Sequence, residues 1–231
     1  MTTLFISDLH LDASRPHITR LFGDFVRSEA VHAHALYLLG DLFEAWIGDD
    51  EDGDLANEVA AILAGLHAAR VPGFFVHGNR DFLLGDAWAR AAHLTLLPDP
   101  CVLDIEGRRT LLMHGDVLCT DDAPYQAFRA RSHAPDWQRA FLARPLAERR
   151  AFAAQARAES RRHTRSVADA ITDVNADAVC AAMRDHKTGR LIHGHTHRPA
   201  RHRVEIDGQH AERIVLGDWY EQGSVGRVDR E

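Results

Sequence analysis

A chain of 231 residues, 45% of them hydrophobic and 26% charged, is long enough to bury a sizeable core and too apolar to be disordered. Its net charge of −7 argues against a general nucleic-acid binder, and its three cysteines, Cys101, Cys119 and Cys180, form neither a CxxC pair nor an even disulfide framework, which suits a reducing cytoplasm. The opening MTTLFISDLH lacks the basic and apolar regions of a secretion signal, and no apolar run approaches the ~20 residues that cross a bilayer, so neither a signal peptide nor a membrane span is expected.

In chain order, the first apolar run is TLFISDLH, residues 3–10, a buried strand running into Asp8 and His10. The helix-like ITRLFGDFVRSEA (18–30) separates it from a second strand, ALYLLGDLFE (35–44), which delivers Asp41. LANEVAAILAGLHAAR (55–70) follows, with Ile62, Leu63 and Leu66 at helical spacing before a VPG stop. GFFVHGNRD (73–81) then delivers Asn79, TLLMHGD (110–116) delivers His114, and RLIHGHTH (190–197) delivers His195 and His197. This alternation of strand and helix predicts an α/β layered core in one domain over 1–231.

Between the last two strands, residues 124–185 have few β-branched residues, many Ala and Arg, and helical periodicity, and are read as a helical insertion. Residues 129–165 hold ten Arg against Asp136, Glu148 and Glu159, a net of +7 that leaves −14 for the rest of the chain. That asymmetry asks for an anionic partner.

Each of the five runs thus presents a hard-metal or imidazole ligand just past its apolar part, and in open α/β sheets such strand ends converge on one ligand site. Two carboxylates, one amide oxygen and four imidazoles suit two divalent ions such as Mn²⁺, Fe²⁺, Co²⁺ or Zn²⁺, with a carboxylate such as Asp41 able to bridge them. A pair of ions about 3.5–4 Å apart activates water and neutralises a phosphoryl group, which predicts phosphoester hydrolysis. Taken singly, His17, His32, His34, His67, His93, His133, His202 and His210 read as surface or core histidines, and Asp12, Glu44, Asp49, Asp50 and Glu51 as solvated loop charges.

DLH, GDLFE, GNRD, HGD and GHTH, in this order and spacing, resemble the calcineurin-like metallophosphoesterases over nearly the whole chain. The resemblance implies a two-sheet β-sandwich flanked by helices. It also implies one ion on Asp8, His10, Asp41 and His197 and a second on Asp41, Asn79, His114 and His195, which leaves His193 a strand or supporting residue. Most of that superfamily reads GNH where this chain has Arg80, and an arginine cannot serve as a general acid but can bind phosphate.

The longer stretches GDLFEAWIGDD, HGNRDFLLG, HGDVLCTDDAPYQAFR and LIHGHTHRPA are similar to the pyrophosphatase family that cleaves UDP-2,3-diacylglucosamine in lipid A synthesis. That resemblance implies Mn²⁺ as cofactor, water attacking the α-phosphorus, and release of UMP and 2,3-diacylglucosamine 1-phosphate. Asp41, Asn79, Arg80 and His195 are the implied catalytic set. Asn79, Arg80, Asp122, Ser160, Thr164 and His195 are implied substrate contacts, with Tyr125 and Phe128 lining a helical cap over the acyl chains. At position 167 the family often has lysine and this chain has Val167, so Arg165 is expected to substitute in part. The basic face of the cap would meet phosphates or anionic lipid heads, placing a monomeric protein peripherally on the cytoplasmic face of the inner membrane. The alternatives are a phosphoesterase of soluble nucleotides and a catalytically silent binding scaffold.

Overall fold

In the computed structural model, residues 2–229 are described except Asp52 and residues 167–170, and the side chains of residues 164–166 lie outside the description. The strands are β1 (Thr2–Ile6), β2 (Ala35–Leu39), β3 (Gly73–Val76), β4 (Leu94–Leu97), β5 (Cys101–Ile105), β6 (Arg108–Leu112), β7 (Arg190–His193), β8 (Ala200–Ile206), β9 (Gln209–Val215) and β10 (Gly226–Asp229). One sheet has the order β10-β1-β2-β3-β4 and the other β5-β6-β7-β9-β8.

Alternation along each strand assigns the two faces. Phe5, Tyr37 and Leu39 of the first sheet meet Ile105, Leu112, Ile192 and Ile214 of the second, forming the layer between the sheets. Their neighbours Leu4, Ile6, Leu36 and Leu38 face the other way, onto helices α1 (Pro16–Ser28) and α2 (Asp54–Ala68). Strands β1 to β4 are parallel, and α1, α2 and α3 (Asp86–Ala91) are their crossovers. The helix-flanked sandwich expected from the motif resemblance is present.

Strands β6 and β7 are also parallel neighbours, so the chain between them must cross over. It does so through α4 (Ala123–Ser132), α5 (Pro135–Leu142), α6 (Leu146–Ser166) and α7 (Ala176–Asp185). Of these, α7 packs on the outer face of the second sheet, where Val179 and Met183 meet Leu111, Leu191 and Ala211. Helices α5 and α6 instead join the first sheet's outer core through Phe141, with Trp137, Leu146 and Phe152 packed around it. Among the described residues, no helix is long and apolar enough to cross a membrane.

Candidate active site

The carboxyl ends of β1, β2 and β3 in one sheet and of β6 and β7 in the other open onto one place. Asp8, His10, Asp41, His195 and His197 there all have left-handed backbone, with φ between 48° and 69°. Such values are uncommon for residues with a Cβ and cluster where structure is strained for function. Tight loops make the approach possible: at Gly40 (φ 84°) a Cβ would lie 2.6 Å from both the Gly78 Cα and the His114 Nδ1, so a side chain there would push two ligand loops apart.

The structure brings the seven expected ligands together. Ligand atoms of Asp8, His10 and His197 lie within 4.8 Å of one another, as do those of Asp8, Asp41 and His114. Asp41 turns Oδ2 toward His10 Nε2 at 3.8 Å and Oδ1 toward His114 Nε2 at 3.7 Å, one oxygen to each side. Asn79 Oδ1 sits 2.9 Å from both His114 Nε2 and His195 Nδ1. His10 Nε2 and His197 Nε2 are 3.2 Å apart, and so are His114 Nε2 and His195 Nδ1. Nitrogen pairs this close need a proton or a cation between them.

The electrostatics ask for positive charge. Asp8 and Asp41 are 0% and 2% exposed, and the guanidinium nearest to Asp41 in ion-pair range is Arg80, its Nε 3.9 Å away. Burial opposes the charge of His114, but the Asp41, Asp8 and Asp116 carboxylates outweigh it and raise the imidazole to about 9. Burial depresses His10 to about 4 despite Asp41 and Asp8, and burial with the neighbouring His114 depresses His195 to about 4. Asp8 is held well below the usual carboxylate range, its burial outweighed by the hydrogen bond from His197 and the charges of His114, His197 and His10. Two buried carboxylates that draw His114 toward its charged form while His10 and His195 stay neutral mark a site that favours a cation, and the oxygen and nitrogen donor set fits hard-to-borderline divalent metal.

A cavity of about 1230 Å³ opens from this cluster and is lined by Asn79, Arg80, Asp122, Tyr125, Phe128, Ser160 and His195. Arg80 reaches Ser160 Oγ at 3.4 Å, and its backbone N–H donates to Asp41 Oδ1 at 2.8 Å. Asp122 caps α4 by accepting from the Tyr125 N–H at 3.1 Å and meets His163 Nε2 at 3.0 Å through both oxygens. Its carboxylate is therefore committed first to its own helix. The side chains of Thr164 and Arg165, and Val167 altogether, lie outside the described residues. His193 is fully buried and turns Nδ1 to the Gly194 carbonyl at 2.9 Å, away from the ligand atoms.

The profile of the calcineurin-like phosphoesterases matches residues 1–199 of the chain. A protein of Stenotrophomonas maltophilia (strain K279a) named UDP-2,3-diacylglucosamine hydrolase is 55% identical over 236 residues, covering 99% of this chain and 95% of its own. Proteins of the same name from Xanthomonas oryzae pv. oryzae (strain PXO99A) and Cellvibrio japonicus (strain Ueda107) are 56% and 55% identical, covering 100% and 96% of this chain and 96% and 93% of their own. Among solved structures, Vps29 of Entamoeba histolytica complexed with zinc is similar at a TM-score of 0.44 and 16% identity, over 94% of this chain and 74% of that one. The chain belongs to the calcineurin-like phosphoesterase family.

Calcineurin-like phosphoesterases bind divalent metal, and two further acids of this one hold the ligand loops in place. Asp81, fully buried, accepts the N–H groups of Gly78 (2.8 Å), Leu42 (2.7 Å) and Asp41 (3.3 Å), tying the loop after β2 to the loop after β3. Asp116, also buried, accepts from Arg129 Nε at 2.7 Å and from the Tyr125 hydroxyl, fastening α4 beneath the His114 loop. Both stand inside GNRD and HGD, where residue type alone does not distinguish an acid that faces a metal from one that faces backbone N–H groups or side-chain donors.

One sequence expectation is corrected. Glu44, Asp49, Asp50 and Glu51 are not simply solvated. Arg149 of α6, 3% exposed, donates to Asp50 Oδ1 at 2.7 Å and to the Ile47 carbonyl at 2.6 Å. Arg150 pairs with Glu51 at 3.8 Å, and Arg157 pairs with Glu44. Asp49 accepts the Gly85 and Trp88 N–H groups and the Trp46 indole N–H. Much of the basic charge of α6 is thus answered within the molecule.

Proposed function

We propose that this phosphoesterase hydrolyses the pyrophosphate bond of UDP-2,3-diacylglucosamine, giving UMP and 2,3-diacylglucosamine 1-phosphate by attack of water on the α-phosphorus. The observation that carries the reading is the lining of the cavity, which joins the ligand cluster to the apolar side chains of Trp46, Phe82, Phe128, Trp137, Phe141 and Phe152. At about 1230 Å³ it exceeds the roughly 300–1,000 Å³ of ordinary ligand pockets, as a phosphosugar with two acyl chains requires. The full-length relatives of that name support the same substrate.

Asp8, His10, Asp41 and His197 would hold one ion, and Asp41, Asn79, His114 and His195 a second, with Mn²⁺ the expected metal. Metals so held supply a low-pKa water and neutralise phosphoryl charge. The chain contributes the rest. Arg80 Nε, Arg15 Nη1, and Arg157 Nε and Nη1 are buried donors without hydrogen-bond partners among the described residues, and all three arginines line the cavity. Buried N–H groups left without acceptors are unfavourable, and phosphoryl oxygens would satisfy them through charge-assisted bonds. Tyr125, its ring 6.0 Å from that of His195, closes the side of the cavity next to the cluster. Helices α4 to α6 form the cap and exclude water from the apolar end.

Arg131, Arg144, Arg161 and Arg162 remain exposed on the cap, and so does Leu142, which is 40% exposed. The exposed basic surface of the cap is the proposed contact with the anionic inner leaflet of the inner membrane, where the substrate would be drawn from the bilayer.

The test is UMP release from UDP-2,3-diacylglucosamine by chelator-stripped protein, with and without Mn²⁺, beside the deacylated UDP-sugar. Mn²⁺-dependent turnover confined to the acylated substrate, and abolished in Asp41→Ala, is expected. Equal turnover of the deacylated sugar would remove the acyl-reading cap, and no turnover of either would leave a binding scaffold.

A further inference from the structure

His10 enters the ligand cluster through Nε2, and its opposite nitrogen settles which edge of the ring faces inward. One face of the ring stacks on Tyr220 with centroids 5.3 Å apart and 5° between planes. Stacking fixes the plane, but a half-turn of the ring preserves that plane and exchanges Nε2 for a carbon. Something must distinguish the two edges.

Nδ1 of His10 and Oε2 of Glu44 are both buried, and neither makes a hydrogen bond among the described residues, to the other included. The two lie 3.3 Å apart. Glu44 is itself fixed from two sides: its backbone N–H donates to the Leu11 carbonyl at 3.0 Å, beside the bridge of Leu11 to Phe43, and its second oxygen pairs with Arg157 of α6. Two other candidate ligands have the same arrangement, since His114 Nδ1 donates to the Leu39 carbonyl at 2.9 Å and His197 Nδ1 faces Asp218 Oδ2 at 3.4 Å. An outer acceptor of this kind fixes both tautomer and orientation of a metal-binding imidazole.

We infer that Glu44 is a positioning residue: it takes the Nδ1–H of His10 and so presents the Nε2 lone pair to the metal centre, while Arg157 ties that orientation to the cap. The inference rests on the metal centre proposed above. With the ring as it stands a small side-chain adjustment closes the 3.3 Å gap into a hydrogen bond, whereas a half-turned ring offers Glu44 only a carbon.

The experiment titrates chelator-stripped protein with Mn²⁺ by calorimetry and by electron paramagnetic resonance of the free ion, together with the melting temperature of the metal-free protein. In Glu44→Ala, one of two Mn²⁺ binding events should weaken about 10–100-fold and the other stay in place. Glu44→Gln, whose amide oxygen still accepts from Nδ1–H, should recover most of that loss. Both events unchanged in Glu44→Ala would overturn the inference. So would equal weakening of both with a lowered metal-free melting temperature, which marks a merely structural role. If the native protein binds no Mn²⁺, the metal centre itself fails, and the inference with it.

Discussion

Asp81 shows what a single side chain does beneath a site it never enters. It is fully buried, and burial with the adjacent Asp41 carboxylate pushes its carboxyl up to about 6. Asp81→Ala would strand the N–H groups of Asp41, Leu42 and Gly78, each a desolvation penalty of about 1–3 kcal/mol. A loss of at least about 3 kcal/mol in urea unfolding is expected. The residues that cluster at the candidate site were legible because chemistry restricts residue type: an acid, an amide or an imidazole just past an apolar run is a short list. The supports were not, since nothing in the spacing of GNRD says whether Asp81 faces a metal or a backbone.

Helix α6 illustrates the same limit over a whole element. Alanine and arginine at helical spacing announced a helix, and net charge announced a basic one. Which arginines are answered was not readable, because Asp50 and Glu51 stand some hundred positions before Arg149 and Arg150. Arg149→Ala removes a buried guanidinium that fixes the start of α6 to the Ile47 carbonyl and Asp50. Local opening of α6 should become easier by about 1–2 kcal/mol, read as a 5–30-fold faster amide exchange across residues 146–160.

His133, at the end of α4, gives this region a pH dependence. Its ring stacks on Phe82 with centroids 4.7 Å apart, and burial together with Arg129 lowers its pKa from 6.5 to about 4. The folded state therefore favours the neutral ring. Its contribution to stability is fully present above pH 6.5 and is lost as pH falls toward 4. His133→Phe keeps the stack and removes the proton, so it should flatten the fall in melting temperature over that interval.

Across the whole molecule, the strands that were legible all sit inside the sheets, although β9, also inside but starting with the exposed Gln209 and His210, was not among them. β1, β2, β3, β6 and β7 have partners on both sides, and such strands read as continuous apolar runs. β8 lies at a sheet edge with Arg201, His202, Arg203 and Glu205 exposed, so ARHRVEI carries little hydrophobic signal. Asp8 and Asp41 are charges that the fold buries at its centre, so Mn²⁺ should stabilise the entire domain. At a hundred times its dissociation constant the gain is about 2.7 kcal/mol, which corresponds to a rise of about 5–10 °C in melting temperature. Scanning calorimetry with and without the ion, and with Asp41→Ala, checks it.

The division of the ligands between the sheets bears on how the molecule assembles. Asp8, His10, Asp41 and Asn79 follow β1, β2 and β3 of the first sheet, while His114, His195 and His197 follow β6 and β7 of the second. Either sheet alone holds a fraction of the candidate set, so on the proposed metal centre ion capture would act as a coincidence detector for the docking of the two. In a refolding time course, uptake of Mn²⁺ should trail the appearance of secondary structure and coincide with closure of the layer around Phe5 and Ile192.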